Sequence, residues 1–199
     1  MNKPIDDFIA PHCADEIDIL YQDEDILLIS KPSGLLSLSG KNPLNKDSVH
    51  FRMSQKFPSI SLAHRLDFGT SGIMLLALNK KANANLNKQF QNRSVKKTYI
   101  SELLGHIAED SGIIDAAIAK DPENFPVLKL CEKLGKSAQS HFKIISRLAN
   151  PNRSRVLFTP VTGRTHQLRI HSLAIGHPIL GCDLYHCGNS AQLAPRLLL

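Results

Sequence analysis

Short β-type segments, cut by proline, glycine and acidic turns, fill most of this sequence and restrict its fold more than any other feature. Residues 17–30 (IDILYQDEDILLIS) read as two strands around an acidic turn. Lys31-Pro32-Ser33-Gly34 is a strong stop, since proline and glycine punctuate the chain. The continuous apolar run at 73–78 (IMLLAL) predicts a buried strand. Residues 97–104 (KTYISELL) predict another, with strand-like pieces at 112–118, 127–131, 139–146 and 155–159. Helices are few. A short one fits 47–55, after a polar loop at 39–45. An amphipathic one fits 80–92, where Ala84, Leu86 and Phe90 recur amid polar residues. A third fits 165–175, with Thr165 as N-cap and Gly176 just past its end. This pattern predicts an α+β fold: a mixed, mainly antiparallel sheet with a few helices packed on it.

The chain has 199 residues, which suits one domain or two small lobes sharing a core. The expected organisation is a flexible acidic arm over 1–16 and a catalytic body over 17–199. Net charge is +6, unevenly placed. Residues 1–30 contain one base, Lys3, and eight acids, whereas the rest of the chain holds 23 bases and 10 acids. A body this basic attracts polyanions at long range, although a basic protein with a solvated surface has the same composition. No apolar run reaches the length of a membrane span, and the N-terminus lacks the basic and apolar regions of a signal peptide. Cytoplasm is the default compartment. The four cysteines, 13, 131, 182 and 187, form no CxxC pair and read as reduced thiols. Cys182 and Cys187, with His177 and His186 nearby, lack zinc-ligand spacing. No Gly-rich loop follows a strand, so neither a nucleotide-hydrolase nor a dinucleotide fold is supported.

Three stretches carry candidate chemistry. In the first, residues 63–72, Arg65 and Asp67 precede a Gly-Thr-Ser-Gly turn and the apolar run. A polar loop pinned to a core strand is where sites are commonly built. From residue types alone, a surface loop with a local Arg–Asp pair is the simpler reading. In the second, residues 93–99 (RSVKKTY), Lys96 and Lys97 lead into Tyr99. Such a ring stacks on a nucleobase while lysines hold phosphates, though one strand tyrosine more often packs in a core. In the third, residues 162–177 (TGRTHQLRIHSLAIGH), Arg164 stands beside a helix N-terminus, where it favours a phosphate. Arg169 inside the helix needs a carboxylate, because an unpaired buried charge is costly, and Asp67 is the favoured partner. His166 and His171 are five apart, not the four that place two ligands on one metal, and read as structural or phosphate-facing.

Together and in this order, the stretches resemble the RluA family of pseudouridine synthases. The motifs are His64-Arg65-Leu66-Asp67-x-x-Thr70-Ser71-Gly72, Lys96-Lys97-x-Tyr99, and Gly163-Arg164-x-His166-Gln167-Leu168-Arg169-x-His171. The resemblance extends to residues 23–36, with their Lys-Pro turn, and to Gly176-His177-Pro178-Ile179-Leu180-Gly181-Cys182. It implies a pseudouridine synthase fold, a bent sheet with flanking helices and a central cleft. It implies a reaction that detaches uracil from its ribose, turns it and rejoins it through carbon. Asp67 matches the catalytic aspartate, Arg169 the arginine that pairs with it, and Tyr99 the tyrosine that packs against the base. Arg65 matches the residue filling the gap left by the flipped uridine, while Lys96, Lys97, Arg164 and His166 are expected on the RNA. No cofactor and no metal are implied. The likeness is strongest to members with dual specificity, whose partners are tRNA and 23S rRNA stem-loops; no membrane or obligate protein partner is expected, and a monomer is the default.

Relatives continue beyond a Leu-Leu-Leu run into a final strand, whereas this sequence stops at Leu199. The expectation is a missing apolar wall, exposed strand edges and lowered activity. With about 16 residues before the first strand, an S4 RNA-binding domain is not expected. Two other readings remain open: an RNA-binding protein or RNA chaperone impaired in catalysis, and a metal-stabilised protein using Cys182 and Cys187.

Overall fold

Asp23 turns the first two strands into a hairpin. In this computed structural model, which describes residues 8–199, its carboxylate accepts the backbone N–H groups of Asp25 (2.8 Å) and Ile26 (2.7 Å). These two donations hold its pKa below the ordinary aspartate value. The hairpin belongs to the first of two compact units, Met1–Ser94 and Val95–Leu199.

In the first unit, β1 (Asp18–Gln22), β2 (Ile26–Lys31), β3 (Ser61–Leu62) and β4 (Gly72–Ala77) form an antiparallel sheet in the order β1-β2-β4-β3. Alternation along β2 buries Leu27, Ile29 and Lys31. The apolar run in β4 is buried on one side and covered on the other at one end only. Met74 and Leu76 are in the core, but Ile73 is 64% exposed. The cause is local: α2 (Lys80–Gln91) packs Ala82 and Leu86 onto Ala77, at the far end of the strand from Ile73. Asn79 caps α2 by accepting the Ala82 N–H, and Ser48 caps α1 (Val49–Ser54) by accepting the Phe51 N–H.

Of the predicted arm, residues 1–7 lie outside the described residues. Residues 8–16 have no regular structure but are anchored. Asn45 accepts the Ala10 N–H and donates to the Phe8 carbonyl, while Arg52 donates to the carbonyls of Cys13 and Asp15.

In the second unit, β5 (Tyr99–Leu104), β6 (Ser111–Asp115), β9 (Gln139–Leu148) and β10 (Arg153–Pro160) form an antiparallel sheet in the order β5-β10-β9-β6. β7 (Ile118–Lys120) and β8 (Leu128–Leu130) form a separate hairpin. The core joins Leu103, Val156 and Phe158 of the sheet to Leu168 and Ile170 of α3 (Gln167–Ala174), and to Ile179, Cys182, Tyr185 and Leu197. The outer edge of β5 is occupied. Leu104 N–H donates to Pro178, Leu180 N–H to Glu102, and Glu102 N–H to Leu198. The exposed edge expected from the sequence is therefore not found at β5.

α3 begins two residues later than predicted. Thr165 is not its cap; His166 occupies that position with a left-handed φ of 55° and makes no side-chain cap bond. Gln167 takes over the local bonding. Its Oε1 accepts the Arg164 N–H and the Thr162 hydroxyl, and its Nε2 donates to the Gln139 carbonyl and the Ser140 hydroxyl. Gly176 has a φ of +81° just past the end, where a side chain would be strained.

Candidate active site

In the first unit the structure explains how Asp67 is positioned. Every carbonyl from Leu66 to Thr70 has a donor. Ser37 Oγ serves Leu66 (2.7 Å), Thr70 N–H serves Asp67 (3.1 Å), Gly34 N–H serves Phe68 (2.9 Å) and Ser33 Oγ serves Gly69 (2.7 Å). Lys31 completes the set. Its Nζ donates to Thr70 (2.8 Å), Phe68 (3.2 Å) and its own neighbour Pro32 (2.8 Å). The Lys-Pro-Ser-Gly stop of the sequence is thus a clamp that grips the backbone around Asp67, whose side chain is half-buried.

Lys31 is fully buried at 0% exposure. Burial pushes its ammonium down to about 8 from an ordinary 10.5, with Cys13 and then Asp67 pulling the other way. Asp67 therefore lies within electrostatic reach of the cation that holds its loop. His64 fixes the loop's entry: Nε2 accepts the Leu75 N–H at 3.0 Å, and the ring stacks on Phe90 at 4.7 Å. Arg65, one residue on, is exposed.

The second unit holds the other expected residues. Tyr99 opens β5 half-buried against the core; Lys96 is exposed and Lys97 half-buried before it. A Cβ at Gly163 would come within 3.1 Å of Lys97 Nζ, so glycine gives that ammonium its room. Arg164 donates from Nε to the Ser137 carbonyl at 3.0 Å. Arg169 is 4% exposed. Its guanidinium is hydrogen-bonded to the Asp183 carboxylate and, through Nε, to Cys182 Sγ at 3.3 Å. His166 Nδ1 is 2.9 Å from the Tyr185 hydroxyl. His171 is structural: it is fully buried, bonded to Ser140 Oγ and the Ala116 carbonyl, and its pKa is lowered by burial.

Sequence reasoning missed Lys31, Ser33 and Ser37 as holders of the Asp67 loop, and Asp183 and Tyr185 as partners of Arg169 and His166. The Lys-Pro-Ser-Gly motif signalled Lys31 and Ser33 of the first group but read as punctuation. Nothing marked the second. Among the described residues, no group of three or more His, Cys, Asp or Glu side chains is placed to hold a metal ion, and no helix is long and apolar enough to cross a membrane.

An antiparallel α+β chain carrying a clamped acidic loop is the class these features define, and residues 25–174 match a family model described as RNA pseudouridylate synthase. The chain belongs to that family, and it is a pseudouridine synthase, an isomerase acting on RNA. It is 48% identical over 181 residues to the dual-specificity RNA pseudouridine synthase RluA of Yersinia pestis, across 91% of this chain and 87% of that protein. Identity to RluA of Escherichia coli K12 is 44%, across 91% and 82%. The fold matches human RNA Pseudouridylate Synthase Domain Containing 1 with a TM-score of 0.79 and 28% identity, covering 94% of this chain and 77% of that one.

Proposed function

We propose that this protein isomerises specific uridines in tRNA anticodon stem-loops and in 23S rRNA, with Asp67 as its catalytic carboxylate. The observation that carries this reading is the backbone clamp around Asp67, in a chain 48% identical to a dual-specificity synthase. A carboxylate acts as a covalent catalyst only from a fixed position and in its ionised form. The reading assigns Arg169 as the cation that pairs with Asp67, Tyr99 as the ring packed on the uracil, and Arg65 as the side chain filling the vacated stack. Extruding a base costs a few kcal/mol, and a group replacing it offsets part of that. Lys96, Lys97, Arg164 and His166 hold the RNA backbone. The enzyme works in the cytoplasm as a monomer, and the isomerisation needs no net oxidation or hydrolysis.

The test is pseudouridine mapping on tRNA and 23S rRNA transcripts with the wild-type protein and Asp67→Asn. Product at both RNAs with wild type and none with the variant is expected. Salt-sensitive RNA binding without product from wild type supports instead an RNA-binding protein impaired in catalysis.

A further inference from the structure

Tyr185 belongs to none of the motifs above, yet it touches two candidate site residues of its unit, His166 and Arg169. It is 2% exposed. Its hydroxyl accepts the Leu128 N–H at 2.8 Å and lies 2.9 Å from His166 Nδ1, within hydrogen-bond distance. His166 sits at φ 55°, a conformation that costs a non-glycine residue about 1 kcal/mol, so something must hold it there. The other side of Tyr185 faces Arg169, whose guanidinium carbon is 5.4 Å from the ring centroid, within cation–π range. Cys182 Sγ accepts both Arg169 Nε and the Tyr185 N–H, and Asp183 takes the Arg169 Nη2. Residues 182, 183 and 185 therefore hold the guanidinium by an edge, an end and a face.

We infer that Tyr185 is a positioning residue for pseudouridine formation: its ring aims Arg169, and its hydroxyl sets the orientation of His166. This rests on the roles proposed above for Arg169 and His166. The two functions sit on different atoms of one side chain, so two substitutions separate them. Tyr185→Phe keeps the ring and loses the hydroxyl. Tyr185→Leu loses both.

The experiment measures pseudouridine formation on a tRNA anticodon stem-loop transcript by wild type, both Tyr185 variants, Arg169→Lys and His166→Ala, with urea midpoints for each. For Tyr185→Phe, KM rises about 3- to 10-fold while kcat stays within about twofold, the signature of lost ground-state binding. For Tyr185→Leu, kcat falls about 10- to 100-fold, as misplacing a reacting-site cation does. Tyr185→Phe with wild-type kcat and KM overturns the inference, even if Tyr185→Leu does not fold. So does a loss in both variants that only tracks the folded fraction. If Arg169→Lys and His166→Ala act like wild type, the roles assigned to those two residues are what fails.

Discussion

Replacing Lys31 by methionine separates stability from catalysis in a way the structure allows to be sized. The substitution keeps the buried stem and strips three donations, to Pro32, Phe68 and Thr70. Phe68 keeps its Gly34 donor, so the carbonyls of Pro32 and Thr70 are stranded, at about 1–3 kcal/mol each and about 2–6 kcal/mol for the pair. Against this stands relief from burying a charge. The ammonium is pushed from 10.5 to about 8, and at about 1.4 kcal/mol per unit the relief is about 3 kcal/mol. The two nearly offset, so Lys31→Met loses about 1 kcal/mol, or about 2–4 °C in Tm for a chain of this size. Activity does not share the relief. The loop around Asp67 loses its anchor at Phe68 and Thr70, and a shift of about 1 Å in a reacting group costs about 100-fold in kcat. The pH dependence supplies an independent signature. Lys31 has a depressed folded pKa, so between about 8 and 10.5 the unfolded chain binds the extra proton. The Lys31 contribution to wild-type stability therefore rises with pH across that window, and Lys31→Met lacks the rise. Urea unfolding across the pH range and single-turnover pseudouridine formation read both effects. A variant with wild-type kcat, or a wild-type-minus-variant stability difference that is flat across that window, refutes the clamp.

Other predictions follow from the same geometry. His171 is buried with its pKa lowered from 6.5, so it contributes stability above 6.5 that is lost as pH falls below that value; His171→Gln flattens this acid limb in thermal melts. A Cβ at Gly181, where φ is +71°, would lie 1.9 Å from the Arg196 carbonyl oxygen, so Gly181→Ala forces backbone movement beside Cys182 and Asp183. It is expected to cost more than about 3 kcal/mol, seen as a lowered urea midpoint. Asn79→Ala removes the α2 cap and costs about 1 kcal/mol by the same measurement, with kcat unchanged.

Much of the fold was legible because its signals are local. The first hairpin and α2 each rest on residues a few positions apart, such as Asp23 with Ile26 or Asn79 with Ala82. α3 was misplaced because its start is set by Gln167 reaching back to Gln139 and Ser140, a bond pattern invisible to capping rules. The half-buried character of β4 was missed because an apolar run does not say which end a helix will cover. In the candidate site, Asp67, Tyr99, Arg164, His166 and Arg169 stood out through their motifs, whereas their supports did not. Lys31 reaches carbonyls 37 and 39 residues away, and lysine beside proline reads as a turn. Tyr185 and Asp183 act on α3 across 14 to 19 residues with no periodic pattern to betray them.

The ion pairs of the second unit change what its positive charge delivers. Arg155 Nη2 lies 2.6 Å from Glu102 Oε1, and Arg153 Nε lies 2.6 Å from Glu102 Oε2, near enough for an ion pair though not aimed for a hydrogen bond. Arg147 pairs with Asp110, and Lys129 with Asp121. Cations already matched inside the protein displace no sodium or potassium from a phosphate chain. The steepness with which salt weakens RNA binding counts only the phosphates newly neutralised, at about 0.7 to 0.9 of a logarithmic unit each. That slope will accordingly report a footprint smaller than the formal charge of the body suggests, and its value measures how many basic side chains stand outside the internal pairing.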